Sequence, residues 1–232
     1  SFTYRSDSSL GIRNRGNLQI TDFEGRGSRI ASNNTNGSYK YWFVNEKDSA
    51  LNITNSLVRD CGWELDVGFF GCPWPAMEHM GVTLKCNNSR IDNVSFEDCY
   101  SGLAFLGVSD VAVSNCSFRN PTSLVIGQVF MFGGNATSEL FGGTTNWTVE
   151  RVSVTGGRHG IHSMNSRLLS IENNSFENGS GSGVSFQNVE GVEIKDNFFS
   201  GCLDNAVRFD SSEDLGPQHG FDIVVSNVSI IG

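Results

Sequence analysis

The sequence predicts an all-β solenoid in which short parallel strands stack rung upon rung. Three observations predict it: a recurring six-residue phrase, a near-constant interval between its copies, and strand-like alternation with turn residues between them. The phrase is apolar, any residue, Asn or Asp, any residue, Ser, apolar. It reads Ile91-Asp92-Asn93-Val94-Ser95-Phe96, then Val113-Ser114-Asn115-Cys116-Ser117-Phe118, then Ile171-Glu172-Asn173-Asn174-Ser175-Phe176, then Val225-Ser226-Asn227-Val228-Ser229-Ile230. Looser copies begin at Ile53, Val149 and Ile194. The interval is 22 residues from Ile91 to Val113 and from Val149 to Ile171, and 23 from Ile171 to Ile194. A fixed period of this size is the signature of a repeat architecture, and the longer intervals carry loop insertions.

Within each repeat the apolar residues alternate, as in Val192-Glu193-Ile194 and Gly183-Val184-Ser185-Phe186, and Asn, Gly, Ser and Asp separate the runs. Those are strand and turn signals. About 22 residues at roughly 3.3 Å each accommodate three short strands and three turns. Stacking such rungs pairs each strand with its equivalent above and below, which gives a parallel β-helix with a long internal core. In that geometry the Asn or Asp of the phrase sits at a bend, because Asn tolerates the left-handed conformation and its amide can reach the next rung. Asn55, Asn93, Asn115, Asn173, Asp196 and Asn227 form this column, with Arg151 as the exception. Ser95, Ser117, Ser153, Ser175 and Ser229 form a second column beside it.

These residues carry a resemblance to the right-handed parallel β-helix superfamily of pectate lyases and polygalacturonases, over roughly residues 17–232. The resemblance implies a single-stranded right-handed parallel β-helix, and right-handed crossovers are the general preference. The expectation is one domain over residues 1–232, of roughly seven or eight rungs, with aromatic-rich loop insertions. The chain opens on Ser1, and its last phrase stops partway through a rung without a polar cap. Both features suit an excised or processed part of a longer chain, or a subunit whose open end meets another.

Composition narrows the function. The net charge is −9 with 18% charged residues. Nucleic acids and anionic membranes both demand a basic face, so neither is an expected partner. No apolar stretch is long enough for a membrane-spanning helix. The six cysteines match no zinc spacing. Cys61 and Cys99 fall eight residues after their phrase starts and are candidates for a disulfide between neighbouring rungs. Cys72 and Cys86 flank Pro73-Trp74-Pro75 and are candidates to staple that loop. No metal or other cofactor is expected: calcium suits an acidic turn, but no Asp-rich run with ligand spacing is present.

Asn-x-Ser/Thr motifs place the chain outside the cell or on its surface. Asn33, Asn36, Asn52, Asn87, Asn135, Asn146 and Asn178 are the candidate N-glycosylation sites. Asn93, Asn115, Asn173 and Asn227 belong to the bend column and are expected to be inaccessible.

Candidate chemistry sits on the strand after the phrase. Aligning rungs puts Leu103, Ile161, Val184 and Val207 in one inward column and Ala104, His162, Ser185 and Arg208 in the outward one. In the lyases and hydrolases that the chain resembles, such a column often carries the active site. A lyase needs a base and a cation, roles that fit His162 and Arg208. A hydrolase needs two carboxylates, for which Asp204 and Asp210 are the nearest pair. A lone histidine on a sheet surface is, by default, solvated. Two apolar insertions, 63–80 and 124–147, supply Trp63, Trp74, Phe130, Phe132 and Trp147 as candidate sugar or partner contacts. The functional expectation is an extracellular or cell-surface scaffold for assembly, adhesion or glycan contact. Its alternatives are a polysaccharide lyase or glycoside hydrolase acting on an acidic glycan, and a tailspike-like trimeric receptor-binding protein. The partners expected are a polysaccharide and further copies of the chain.

Overall fold

The computed structural model describes residues 10–21, 27–31, 41–62, 81–119, 129–132, 145–164, 166–187, 189–210 and 222–232. Every regular element among them is a strand, numbered β1 to β22 in chain order. One sheet stacks eight parallel strands: β1 (Leu10–Asn14), β4 (Tyr41–Asn45), β6 (Val82–Leu84), β8 (Leu103–Leu106), β11 (Val129–Phe132), β14 (Ile161–Met164), β17 (Val184–Gln187) and β20 (Val207–Asp210). The second sheet holds the other fourteen and folds around a corner. On one side of that corner lie β9 (Ser109–Ser114), β12 (Thr145–Glu150), β15 (Arg167–Glu172), β18 (Glu190–Lys195) and β21 (Ile223–Ser226). On the other lie β10 (Ser117–Arg119), β13 (Ser153–Thr155), β16 (Ser175–Glu177), β19 (Phe198–Ser200) and β22 (Ser229–Ile231). β5 (Ala50–Arg59) and β7 (Arg90–Glu97) run through the corner without a break and pair on both sides.

The corner is made where the sequence places it. Asn55, Asn93, Asn115, Arg151, Asn173, Asp196 and Asn227 all have φ between 48° and 55°. The left-handed region is costly for most L-residues and least so for Asn and Asp, which explains the composition of the column. Side chains link the column along the axis. Asn93 Nδ2 donates to Asn55 Oδ1 at 2.7 Å, and Arg151 Nε donates to Asn115 Oδ1 at 2.7 Å. Asn115 itself reaches Asp92 Oδ1 rather than Asn93. The column is solvent-exposed at Asn93, Asn115, Asn173 and Asn227, which corrects the expectation that these amides are inaccessible.

Inside the coil each phrase position becomes a column. Ile53, Ile91, Val113, Val149, Ile171 and Ile194 stack in register, all fully or nearly fully buried. Phe96 and Phe118 stack at 4.5 Å between ring centroids, and Phe176 and Phe199 at 5.0 Å, in the column that also holds Val58 and Val154. Rungs are a strand spacing apart, roughly 4.8 Å, so parallel rings in successive rungs meet face to face.

One inward column, apolar at Val94, Cys116 and Val152, turns polar in two successive rungs, which was not foreseen. Asn174 and Asn197 follow the bend residue and are both buried. Asn174 Oδ1 accepts from Val152 N–H at 2.8 Å, and its Nδ2 donates to Val149 O and Asn197 Oδ1, each at 3.0 Å. Asn197 Nδ2 donates to Ile171 O at 2.7 Å and Lys195 O at 3.0 Å. Both amides thus place both of their N–H donors and at least one oxygen lone pair, as burial of a polar group requires. The signal in the sequence was the doubled Asn173-Asn174 and the Asp196-Asn197 pair.

Two substitutions test this account. Asn174→Leu leaves Val152 N–H and Val149 O unpartnered inside the core, and is expected to lower unfolding free energy by about 2–4 kcal/mol in urea titrations. Asn93→Val forces a β-branched residue into the left-handed corner and is expected to cost about 1–3 kcal/mol, with Asn93→Gly costing clearly less.

Candidate functional site

The outward column of the eight-stranded sheet has the register read from the sequence. Phe130 pairs with Ala104 and with His162, His162 with Ser185, and Ser185 with Arg208. His162 and Arg208 are therefore two rungs apart, about 10 Å. The column is not a solvated strip, however. Val44, Thr83, Ala104 and Ser185 are buried, and His162 is only 9% exposed. The expectation of a solvated His162 is thereby corrected.

Burial sets the chemistry of this histidine. It lowers the His162 pKa from 6.5 to about 4, with smaller contributions from His159 and Arg158. The two imidazoles lie 5.7 Å apart at 28°. His159 is held by its backbone neighbours: its Nδ1 accepts from Ser182 N–H at 3.0 Å. That bond needs an unprotonated Nδ1, and burial first, then Arg158, keeps the His159 pKa low as well. Ser182 Oγ in turn donates to Asp204 Oδ2 at 3.4 Å.

Arg208 closes the cluster. Its Nε meets Asp210 Oδ2 at 2.8 Å and its NH1 meets Asp204 Oδ2 at 3.3 Å. The hydrogen bond to Asp210 is the main cause of its raised pKa. All four residues singled out in the sequence thus belong to one neighbourhood, and it also recruits Arg158, His159 and Ser182. His159 lies three residues before His162, just ahead of β14, and shares its surroundings. Ser182 gave no signal, because it acts through its backbone N–H and a hydroxyl in a region full of serines. Chemically, one guanidinium is shared by two carboxylates, and the imidazole is a weak base sunk below the surface. No group of three or more His, Cys, Asp or Glu among the described residues is arranged to hold a metal ion.

Residues 138–216 match the family described as "Right handed beta helix region". The chain is a right-handed parallel β-helix. No curated protein matches it in sequence. Solved structures similar to this β-helix include a double mutant of the periplasmic alginate epimerase AlgG, at 10% identity and a TM-score of 0.47, covering 95% of this chain and 70% of that one. The Streptococcus pneumoniae surface protein and adhesin PfbA has 11% identity and a TM-score of 0.40, covering 97% and 89%. The receptor-binding tailspike of bacteriophage Det7 has 11% identity and a TM-score of 0.18, covering 97% and 70%.

The β-helix redistributes the remaining candidates. Trp147 is fully buried in the core, edge-on to Phe105 at 6.4 Å between centroids, and is not a surface contact. The segment read as an insertion around residue 130 contributes a rung strand, β11, so Phe130 and Phe132 are sheet positions rather than loop positions. Trp63 and Trp74 lie outside the described residues. Cys61 and Cys99 occupy neighbouring rungs as thiols, which corrects the expected bridge. Cys99 Sγ is turned to Val58 O at 3.7 Å and Glu97 O at 3.4 Å. Cys86 is likewise a buried thiol, engaged by Asn45 and by Ser89 Oγ at 2.9 Å, and is not seen in the expected bridge to Cys72, which lies outside the described residues. Among the glycosylation candidates, Asn87, Asn146 and Asn178 are exposed and Asn52 is half-buried. Asn87 Oδ1 accepts from Ser109 N–H at 2.9 Å, and Asn146 Nδ2 donates to Asp110 Oδ1 at 2.5 Å. Asn33, Asn36 and Asn135 lie outside the described residues.

The depressed pKa of His162 has a thermodynamic consequence. The unfolded chain takes up its proton near 6.5 and the folded protein only near 4. Stability from this residue is complete above pH 6.5 and is lost as pH falls between those values, by up to roughly 3 kcal/mol. His159 acts in the same direction. His162→Leu is expected to flatten the pH dependence of the urea midpoint between pH 7 and 5; an unchanged slope would refute the assignment.

Proposed function

We propose that this chain is an extracellular or cell-surface β-helix scaffold that acts in assembly, adhesion or glycan contact. The supporting observation is the closure of the ionisable cluster on itself. Arg208 is paired with both Asp204 and Asp210, so its charge is already offset where a uronate carboxylate would need it. The two aspartates are both turned onto the same cation, rather than standing apart across a gap as the paired carboxylates of a glycosidic-bond hydrolase do. Against this, the β-helix offers a stiff parallel ladder whose corner displays exposed Asn93, Asn115 and Asn173 in repeated copies of the bend, with Asn93 bonded to Asn55 and Asn115 to Asp92 and Arg151. Such a surface binds hydroxyl-rich ligands without acting on them.

The second reading is a polysaccharide lyase or hydrolase for an acidic glycan. It is favoured by one feature, the relay from Asp204 through Ser182 to His159 beside His162. A single pair of assays separates the readings. In affinity electrophoresis through gels containing neutral or acidic polysaccharides, a scaffold is expected to be retarded by at least one of them. In the same buffers it is expected to produce neither reducing ends nor the ultraviolet absorbance of unsaturated uronates. Turnover that disappears in His162→Ala would replace the scaffold reading with the enzymatic one.

A further inference from the structure

The corner column carries a hollow of about 430 Å³ over three successive rungs, lined by Arg151, Ser153, Asn173, Ser175, Asp196 and Phe198 among others. It is separate from the ionisable cluster on the eight-stranded sheet. Two residues in it break the repeat. At the bend, every other phrase has Asn or Asp, yet Arg151 adopts φ 54° there. An arginine in the left-handed region is a strained choice, costing on the order of 1 kcal/mol. In the neighbouring column, Ser95, Ser117, Ser153, Ser175 and Ser229 are in register, and Phe198 alone from Ser95 onward is not serine. Phe199 fills the core next door, so Phe198 stands on the outer face, half-buried. Neither departure is required by the core, and both fall in the same hollow.

The parts are held in place before any ligand arrives. Arg151 is pinned by Asn115 Oδ1 at 2.7 Å and by its ion pair with Glu150. Ser175 donates its proton to Glu177 at 2.6 Å, which leaves the hydroxyl oxygen as an acceptor. The floor rests on Asn174, whose amide makes three hydrogen bonds inside the coil. A guanidinium, an amide, a carboxylate and hydroxyls thus surround one outward aromatic ring. That combination recognises a ring with an apolar face and a polar edge, which is a sugar. The charges nearby are mixed and largely paired: Arg151 with Glu150, and Lys195 with Asp196 at 4.0 Å, with Glu172 in register beside Lys195. No concentration of positive charge is offered to a polyanion. Three rungs span roughly 10 Å, a length suited to two sugar units.

We propose that this corner hollow binds a neutral glycan over about two sugar units, with one ring on Phe198 and hydroxyls held by Arg151, Asn173 and Asp196. The proposal rests on the glycan-contact reading and assigns it a place. The test uses isothermal titration with cellotetraose, xylotetraose and mannotetraose, and with tetragalacturonate as the anionic arm. The variants are Phe198→Ser and Arg151→Asn, which restore the residues that the repeat uses elsewhere. At least one neutral oligosaccharide is expected to bind, and each variant to lose tenfold or more in affinity while keeping or raising its melting midpoint. Unchanged affinity in both variants would exclude the hollow and leave glycan contact standing elsewhere on the surface. Binding of tetragalacturonate alone would overturn the neutral assignment, and absence of any binding would remove the glycan-contact reading with it. A marked fall in the melting midpoint of Phe198→Ser would assign that ring to packing and overturn its role as a platform.

Discussion

A residue that turns left at every rung is the constraint on which this molecule depends. A β-strand cannot change direction sharply while keeping its inward and outward faces, unless one residue leaves the extended region. Here Asn55, Asn93, Asn115, Arg151, Asn173, Asp196 and Asn227 supply that residue with nearly identical φ. Because the bend recurs at the same depth in each turn, the strands on both sides stay in register, and the second sheet can wrap the corner as one hydrogen-bonded surface. The cost of each left-handed residue is about 1 kcal/mol or less for Asn, and the ladder hydrogen bonds on both flanks offset it.

Register then organises the core. Once rungs are aligned, every inward position becomes a column of like residues, which is why β-branched side chains stack on β-branched ones and phenyl rings on phenyl rings. Parallel in-register stacking also gives a buried amide a partner one rung away. Asn174 and Asn197 exploit this, converting what would be two costly buried polar groups into a bonded ladder. Apolar columns and the amide ladder stabilise the same alignment, so slippage by one residue would break both.

The same register explains the behaviour of the ionisable cluster. Strand alignment brings His162, Ser185 and Arg208 into line, and that much follows from the period. Asp204, in the turn before β20, and Asp210, at the end of β20, flank Arg208 closely enough in sequence to reach its guanidinium, so the cation is compensated locally. His162 has no such neighbour on its own strand, and burial governs it instead. Two members of one column therefore have opposite electrostatic fates: one is charged and compensated at the surface, the other kept neutral below it.

Read alone, the sequence determined the parallel β-helix, the positions of its corners, the alternation of faces and the register of the outward column. All of these repeat with each turn, and a repeated physical requirement leaves a repeated residue. Tertiary structure decided that His162 and Trp147 are buried, that Cys61, Cys86 and Cys99 are sequestered thiols, that the bend asparagines face solvent, and that Arg151 and Phe198 share one hollow. Each of those depends on what lies beside a residue in the next rung or across the coil. A contact made once, between segments of different rungs, imposes no period on the chain and so left no trace in the spacing of its letters.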